Sequence, residues 1–184
     1  MRSLFLTENI TADGRIEMLD DWFSPVTGGG EVADLQEEME RMGRGSDAML
    51  LGRQTFEDFR GYWPQHTDTT TGAYLEGVAK YVVSSSMTDP AWQNSTVLSG
   101  DPVQLVRRLK DSDGGGITIT GSITLAHALL RAGLIDEIRL FVYPAIQGRG
   151  KGLVAEGTRI PELRLLEHKA FRSGVALLRY AVVA

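Results

Sequence analysis

Short apolar runs alternate with segments of helical spacing along most of the chain. Apolar runs bounded by turn residues are typical of buried strands, and apolar residues that recur every three or four positions are typical of helices. Strands are predicted at residues 3–7, 48–51, 81–83, 96–98, 117–120, 138–146, 163–171 and 175–183. One helix is predicted to begin at Val32, and a short one to follow Thr55 and run through Phe59. A third is predicted to begin at Pro102 with Asp101 as its cap, and a fourth to follow Ser122 and end at Gly133.

This order of elements predicts an α/β fold in one domain, residues 1–184. Alternating strands and helices favour a mainly parallel sheet covered by helices. The last two strands are separated by Arg172-Ser173-Gly174, which predicts an antiparallel C-terminal hairpin. A long loop is predicted over residues 8–30, where Glu8 interrupts the first apolar run and Gly28, Gly29 and Gly30 end the segment.

The composition narrows the class of protein. The formal net charge of −5 gives no general attraction to nucleic acid or to anionic membranes, so neither is expected as a partner. Apolar runs too short to span a bilayer, and the lack of a signal-peptide pattern, favour a cytoplasmic protein. Cysteine is absent, and His66, His127 and His168 are scattered, so no metal site is expected.

Three predicted strands end in residues that are suited to holding phosphate. They are followed by Gly52-Arg53-Gln54-Thr55, by Ser84-Ser85-Ser86 and by Gly121-Ser122. Each segment alone has an ordinary alternative: a surface arginine at a helix start, a polar turn, or a helix cap. Ligands of open α/β sheets bind beyond the carboxyl ends of the strands, so one extended phosphorylated ligand would explain all three together.

The same segments resemble a known family. The run from Leu50 to Glu57 is similar to the dihydrofolate reductase motif Gly-Arg/Lys-x-Thr followed by an aromatic residue, and the two later strand ends match that family in order and spacing. The segment Thr11 to Ile16 and the run Ala132 to Leu140 resemble a sister branch, the reductase domain of riboflavin biosynthesis. The resemblance implies a dihydrofolate-reductase-like three-layer fold.

The resemblance also implies an NADPH site. Its residues would be Ile16, Gly52, Arg53, Thr55, Ser84, Ser85, Gly121 and Ser122. Arg53 and Ser85 would hold the 2′-phosphate, with Ser84 beside the adenosine. Thr55 would bind the pyrophosphate, the amides of Gly121 and Ser122 would meet the phosphate on the nicotinamide side, and Ile16 would lie against the nicotinamide.

The substrate side departs further from the family. Folate-reducing relatives use a carboxylate on the first helix, for which Asp34 is the candidate and Glu38 the runner-up, although both could equally be solvated helix residues. The riboflavin branch usually has Asp-Asp-Pro after its Gly-x-x-Thr motif. Here Phe59-Arg60-Gly61-Tyr62-Trp63-Pro64 stands instead, which leaves the substrate open.

We therefore expect an NADPH-dependent reductase that transfers hydride to a small pterin-like or pyrimidine-like substrate, such as the riboflavin-pathway compound 5-amino-6-(5-phosphoribosylamino)uracil. The alternative is a nucleotide-binding module of the same fold without turnover; a structural dimerisation domain is a third possibility. A homodimer is also expected, from the resemblance and from the apolar strands at 140–146 and 175–183.

Overall fold

A computed structural model gives the fold and describes residues 1–23, 32–160 and 162–183. The strands are β1 (Leu4–Thr11), β2 (Ser46–Gly52), β3 (Ala79–Val83), β4 (Ser95–Leu98), β5 (Gly116–Thr120), β6 (Glu137–Tyr143), β7 (Glu162–Ala170) and β8 (Ala176–Val183). The α-helices are α1 (Ala33–Gly43), α2 (Arg53–Tyr62), α3 (Thr70–Gly77), α4 (Pro102–Asp111) and α5 (Ile123–Arg131), and a 3₁₀ turn at Trp63–Gln65 follows α2. The glycine run at residues 28–30 lies outside the described residues.

The strands form one sheet in the order β4-β3-β2-β5-β1-β6-β8-β7. All neighbours from β4 to β6 are parallel, whereas β8 pairs antiparallel with both β6 and β7. The predicted mainly parallel sheet with an antiparallel C-terminal hairpin is thus confirmed. The carboxyl ends of six parallel strands therefore meet along one edge of the sheet.

Helices cover both faces of the sheet. Side chains of α4 and α5, among them Val106 and Leu129, pack on Leu6 and Ile119 of the central strands. On the opposite face, α1 packs on β6 and β8, while α2 and α3 pack on β2 and β3. This arrangement confirms the predicted three layers. No helix in the described ranges is long and apolar enough to cross a membrane.

The first strand is longer than predicted. Glu8 was expected to end the apolar run, but β1 continues to Thr11, which pairs with Tyr143 of β6. The prediction was wrong because Glu8 is buried, with 4% of its surface exposed, on the face of the sheet that packs against α4 and α5. Its neighbours Thr7 and Asn9 alternate onto the other face.

Helix α3 was not predicted at all. It begins with the sequence Thr70-Thr71-Gly72, which lacks the apolar repeat on which the other predictions depended. The Thr69 hydroxyl caps it by accepting a hydrogen bond from the amide of Gly72 over 3.0 Å. Local capping therefore starts a helix that the hydrophobic pattern does not show.

The position of the exposed sheet edge also differs from the expectation. The apolar strands at 140–146 and 175–183 were expected to offer an edge to a second subunit, but β6 and β8 lie inside the sheet. The edge on this side of the sheet is β7, whose Leu163, Leu165 and Leu166 are exposed. The sequence does not show which strand of the C-terminal hairpin forms the edge, because either β7 or β8 could pair with β6.

Candidate cofactor and substrate site

Two of the three strand ends singled out in the sequence meet at the starts of α2 and α5. The amide of Gly52 donates to the Ser122 hydroxyl over 2.9 Å, and the amide of Ser122 donates to the Thr55 hydroxyl over 2.9 Å. The residues Gly52-x-x-Thr55 and Gly121-Ser122, which lie far apart in sequence, therefore form one junction. We call it the α2–α5 junction.

Neither helix of the α2–α5 junction has a side-chain cap. The cap residue of α2, Gly52, has no side chain, and the side chain of Ser122 makes no capping hydrogen bond to α5. In contrast, Thr69 caps α3 and Asp101 caps α4. Free amides and the helix dipole give an uncapped N-terminus a partial positive charge, so two of them side by side favour an anionic group such as a phosphate.

The backbone of the junction is unusual at two successive residues. Gly121 has φ +56° and Ser122 has φ +49°, a left-handed conformation that is uncommon for serine. A Cβ atom at Gly121 would lie 3.2 Å from the Thr55 methyl carbon, so the close approach favours glycine there. Such strain is typical of sites whose geometry serves a function.

The third strand end supplies a cation beside the junction. The register pairs Gly52 with Val83, which brings Arg53 next to the serines after β3. The Arg53 guanidinium is half exposed and donates through Nη1 to the Ser86 hydroxyl over 2.9 Å. Ser85 is exposed, while Ser84 is buried and accepts hydrogen bonds from the amides of Ser86 and Met87. Sequence reasoning selected Ser84 and Ser85, but the serine that Arg53 contacts is Ser86, and the Nε of Arg53 lies 3.6 Å from Glu57.

A buried carboxyl group lies beneath the junction. Glu8 Oε2 accepts a hydrogen bond from the amide of Gly121 over 3.2 Å, and within the described residues Glu8 Oε1 has no partner. Burial raises the pKa of Glu8 well above 4.5, although the bond from Gly121 acts to lower it. The Gly121 amide that was expected to meet phosphate is thus held by Glu8, and the Ser122 amide is held by Thr55.

Ile16 is buried in the main core, and its amide donates to the Lys151 carbonyl over 3.0 Å. Asp13 connects the preceding turn to the loop after β6, because its carboxylate accepts hydrogen bonds from the amides of Gln147 and Gly148. Hydrogen bonds from the Thr11 hydroxyl and these amides lower the pKa of Asp13 to about 2. The two loops therefore hold each other, and Asp13 stays ionised at neutral pH.

A cavity of about 640 Å³ opens on the other face of the sheet from Glu8, beside α1 and α3. Thr7 and Asn9 of β1, Thr118 and Thr120 of β5, and Phe141 of β6 contribute from the sheet. A volume of this size suits a small organic ligand. Thr120 lines the cavity and directly precedes Gly121, so the cavity adjoins the α2–α5 junction.

The two candidate acids on α1 lie elsewhere. The carboxylate of Asp34 accepts from the amides of Leu35 and Arg172, at 2.9 and 3.1 Å, and Glu38 is buried in ion pairs with Arg41 and Lys169. Neither of the two lines the cavity. In the part of the chain that the structure describes, no group of His, Asp and Glu side chains could hold a metal ion.

Sequence reasoning missed the polar floor of the cavity. Thr7 and Asn9 belong to β1, and Thr120 pairs with Thr7 in the register. The alternation of Phe5, Thr7 and Asn9 indicates that they share one face of a strand. The predicted strand ended at Thr7, so Asn9 was not assigned to that face.

Two proteins of Bacillus subtilis are similar to this chain in sequence, and both are named as uncharacterized. The uncharacterized protein YyaP of Bacillus subtilis is 29% identical over 139 residues, which is 73% of each chain. The uncharacterized protein YwjB of the same organism is 27% identical over 175 residues, which is 91% of each chain.

Solved structures share the fold. A chain named "Putative riboflavin biosynthesis protein" from Shewanella sp. PV-4 has a TM-score of 0.74 at 16% identity, with 99% of both chains covered. The diaminohydroxyphosphoribosylaminopyrimidine deaminase/5-amino-6-(5-phosphoribosylamino)uracil reductase of Thermotoga maritima has a TM-score of 0.66 at 15% identity, over 99% of this chain and 57% of the other. The profile of the RibD C-terminal domain matches residues 2–177. This chain therefore belongs to the RibD C-terminal domain family and has the dihydrofolate-reductase-like fold.

Proposed function

We propose that this protein is an NADPH-dependent reductase that transfers hydride to a C=N or C=O carbon of a small pterin-like or pyrimidine-like substrate. The observation that carries the proposal is the α2–α5 junction, where two uncapped helix N-termini are joined beside a large cavity. The reductase named for the Thermotoga maritima structure acts on 5-amino-6-(5-phosphoribosylamino)uracil, which supports this class of reaction.

The residues at the junction fit a phosphorylated dinucleotide. The free amides in the first turns of α2 and α5 would bind the pyrophosphate, with Gly52, Thr55, Gly121 and Ser122 fixing their positions. Gly121 lets the two helix starts lie close together, because a Cβ atom there would lie 3.2 Å from the Thr55 methyl carbon. NADPH, when bound, would supply the hydride, and the protein's part is to orient the two rings and exclude side reactions.

The preference for NADPH would come from the rim of the site. Arg53 is half exposed, and Ser85 and Ser86 are exposed next to it. A guanidinium and two hydroxyls match the charge and hydrogen-bonding needs of a 2′-phosphate, because charge-assisted bonds to phosphate are roughly twice as strong as neutral ones. Ser84 would contribute indirectly, since its hydroxyl shapes the turn that carries them.

Ile16 and Asp34, which were also predicted from the sequence, have separate roles in the proposal. Ile16 would support the nicotinamide from the core beneath the loop that Asp13 pins. Asp34, the carboxylate predicted from the sequence, is one candidate source of the proton that completes the reduction, and water in the cavity is the other. The contacts of Asp34 with Leu35 and Arg172 favour water.

One observation favours the alternative of a nucleotide-binding module without turnover. Asp34 and Glu38, the two candidate acids on α1, are held by protein groups, and neither lines the cavity. The two functions are separated by mixing the protein with NADPH carrying deuterium at C4 and with dihydropterin and aminouracil compounds. A reductase transfers deuterium to a product detected by mass spectrometry, whereas a module binds NADPH and transfers none.

We also propose a homodimer formed through the β7 edge of the sheet. Leu163, Leu165 and Leu166 are each about 40–50% exposed on this edge strand. An unpaired edge that carries large apolar side chains favours association with a second copy of the chain.

A further inference from the structure

The floor of the cavity offers hydrogen-bonding groups that carry no charge. Within the described residues, Thr7 Oγ1 and Asn9 Oδ1 are buried without a hydrogen-bond partner. Both lie on the cavity face of β1, and Thr120, the register partner of Thr7, lines the cavity beside them. Buried polar atoms without a partner are costly, so a ligand that bonds them gains affinity from their position.

The cations around the cavity are either paired or peripheral. Of the described residues that line it, Arg44 and Arg139 are the cations. The guanidinium of Arg139 donates to Glu137 over 2.6 Å and lies 3.8 Å above the ring of Phe5, so it already has a carboxylate partner, which it shares with Arg179. Arg44 is exposed beyond the end of α1.

Acidic groups oppose an anion in the same cavity. Glu40 of α1 and Asp68 before α3 both line it. The undescribed segment 24–31 contains no lysine or arginine in its sequence. Arg53 binds the 2′-phosphate of NADPH in the proposed function. A bound phosphate is normally held by arginine or lysine side chains or by free amides at a helix start. The described cavity offers the exposed Arg44, opposite two carboxylates, and the start of α3, where the Gly72 amide already donates to the Thr69 hydroxyl.

We propose that the substrate of this protein is an uncharged heterocycle without a phosphate group, bound by Thr7, Asn9 and Thr120, and that the cavity discriminates against phosphorylated forms. The inference rests on the proposed function in that it takes this cavity as the substrate site. It departs from the reductase of Thermotoga maritima, whose named substrate is a phosphoribosyl compound. Amide and ring-nitrogen edges of pyrimidines and pterins match the hydroxyl and carboxamide groups on the floor.

Calorimetry with matched pairs tests the proposal without requiring turnover. The probes are 5-amino-6-ribosylaminouracil with its 5′-phosphate, and 7,8-dihydroneopterin with its 3′-phosphate, each titrated into protein saturated with NADP⁺ and into protein alone. We expect the uncharged member of at least one pair to bind about tenfold or more tightly than its phosphate, which corresponds to about 1.4 kcal/mol. Tighter or equal binding of the phosphates, or binding of neither uncharged compound, would overturn the proposal.

Two variants of α1 test whether the cavity causes the preference for uncharged compounds over their phosphates. Glu40→Lys adds a cation to the lining, and we expect it to reduce the preference for the uncharged compounds at least about threefold, given the size of charge-assisted bonds. Glu37→Lys, an exposed position of α1 outside the lining, makes the same charge change and should leave the preference as it is. An equal effect of both variants would refute the role of the cavity.

A third variant tests the floor itself. Thr7→Val removes the hydroxyl while keeping the shape, and we expect it to weaken the uncharged compounds about tenfold while NADP⁺ binding stays unchanged. No loss would contradict the proposed contact. Failure of the proposed function has a different signature, because it would appear as absent NADP⁺ binding in the same titrations.

Discussion

The hydroxyl of Ser122 accepts a hydrogen bond from the amide of Gly52, and these two residues lie 70 positions apart in the sequence. The bond joins the first turns of α2 and α5 and keeps Ser122 at a positive φ of 49°. A serine in this conformation costs free energy that its two hydrogen bonds, one through the hydroxyl and one through the amide, offset.

Replacing Ser122 separates the hydrogen bond from the backbone strain. Ser122→Ala loses the bond to Gly52 and keeps a side chain at positive φ, so we expect the free energy of unfolding to fall by about 1 kcal/mol. Ser122→Gly loses the same bond but relieves the strain, so it should be the more stable of the two. Urea denaturation measures both. A less stable glycine variant would show that the strain is not the main cost at this position.

The buried carboxyl of Glu8 predicts a pH dependence of stability. Because its pKa is raised in the folded protein, the folded state keeps a proton at pH values where the unfolded chain has lost it. The free energy of unfolding therefore falls as the pH rises from the unfolded pKa to the folded one, by up to about 1.4 kcal/mol per pH unit. Glu8→Gln cannot ionise and can still accept from Gly121, so we expect its stability relative to wild type to improve from pH 5 to pH 8 in urea titrations.

Glu38→Gln is the control of opposite sign. Burial acts to raise the pKa of Glu38, but hydrogen bonds and charges from Arg41 and Lys169 outweigh it, and the net pKa is lowered. Its contribution to stability is present above the unfolded pKa and is lost as the pH falls through the folded pKa. Parallel pH profiles for the Glu8 and Glu38 variants would contradict this account of the two carboxyl groups.

The sequence indicated the cofactor side of the site better than the substrate side. Glycine beside an arginine and a threonine at a strand end is a local signal, and Gly52, Thr55 and Ser122 do meet in space. The partner of Arg53 could not be read in the same way. Which serine of Ser84 to Ser86 faces Arg53 depends on the turn that Ser84 closes with its own hydroxyl.

The substrate side was hard to predict because of one buried carboxyl group. A glutamate in an apolar run usually ends a strand, so Asn9 was placed in a loop, although it lies on the floor of the cavity. Glu8 is tolerated inside because the Gly121 amide bonds it and its raised pKa favours the neutral form. Pairing with β6 through Tyr143, a contact distant in sequence, is what extends the strand.

The role of Asp34 as a general acid has a kinetic test. Its hydrogen bonds from the amides of Leu35 and Arg172 lead us to expect that Asp34→Asn lowers stability by about 1 kcal/mol and leaves single-turnover NADPH oxidation nearly unchanged. Stopped-flow traces give the rate of the chemical step. A loss of about 10²- to 10⁴-fold would instead support the acid role predicted from the sequence.

The β7 edge predicts the oligomeric state. We expect light scattering to give a dimer for the wild-type chain and a monomer for Leu165→Lys, because a charge on this edge opposes strand association. Thr96→Lys places the same charge on β4, the opposite edge of the sheet, and should leave the dimer intact. A monomeric wild type, or a dimer that survives the leucine replacement, would contradict an interface at β7.

The preference between two cofactors tests the central claim most directly. In calorimetric titrations we expect wild-type protein to bind NADPH roughly 10- to 100-fold more tightly than NADH, because one arginine–phosphate pair contributes about 1.5–3 kcal/mol. Arg53→Ala should abolish that difference by weakening NADPH alone. Arg131→Ala, which removes an exposed arginine at the far end of α5, should preserve it. Equal affinities for NADPH and NADH in the wild-type protein, or undiminished NADPH binding by Arg53→Ala, would contradict the assignment of the α2–α5 junction and Arg53 as the cofactor site.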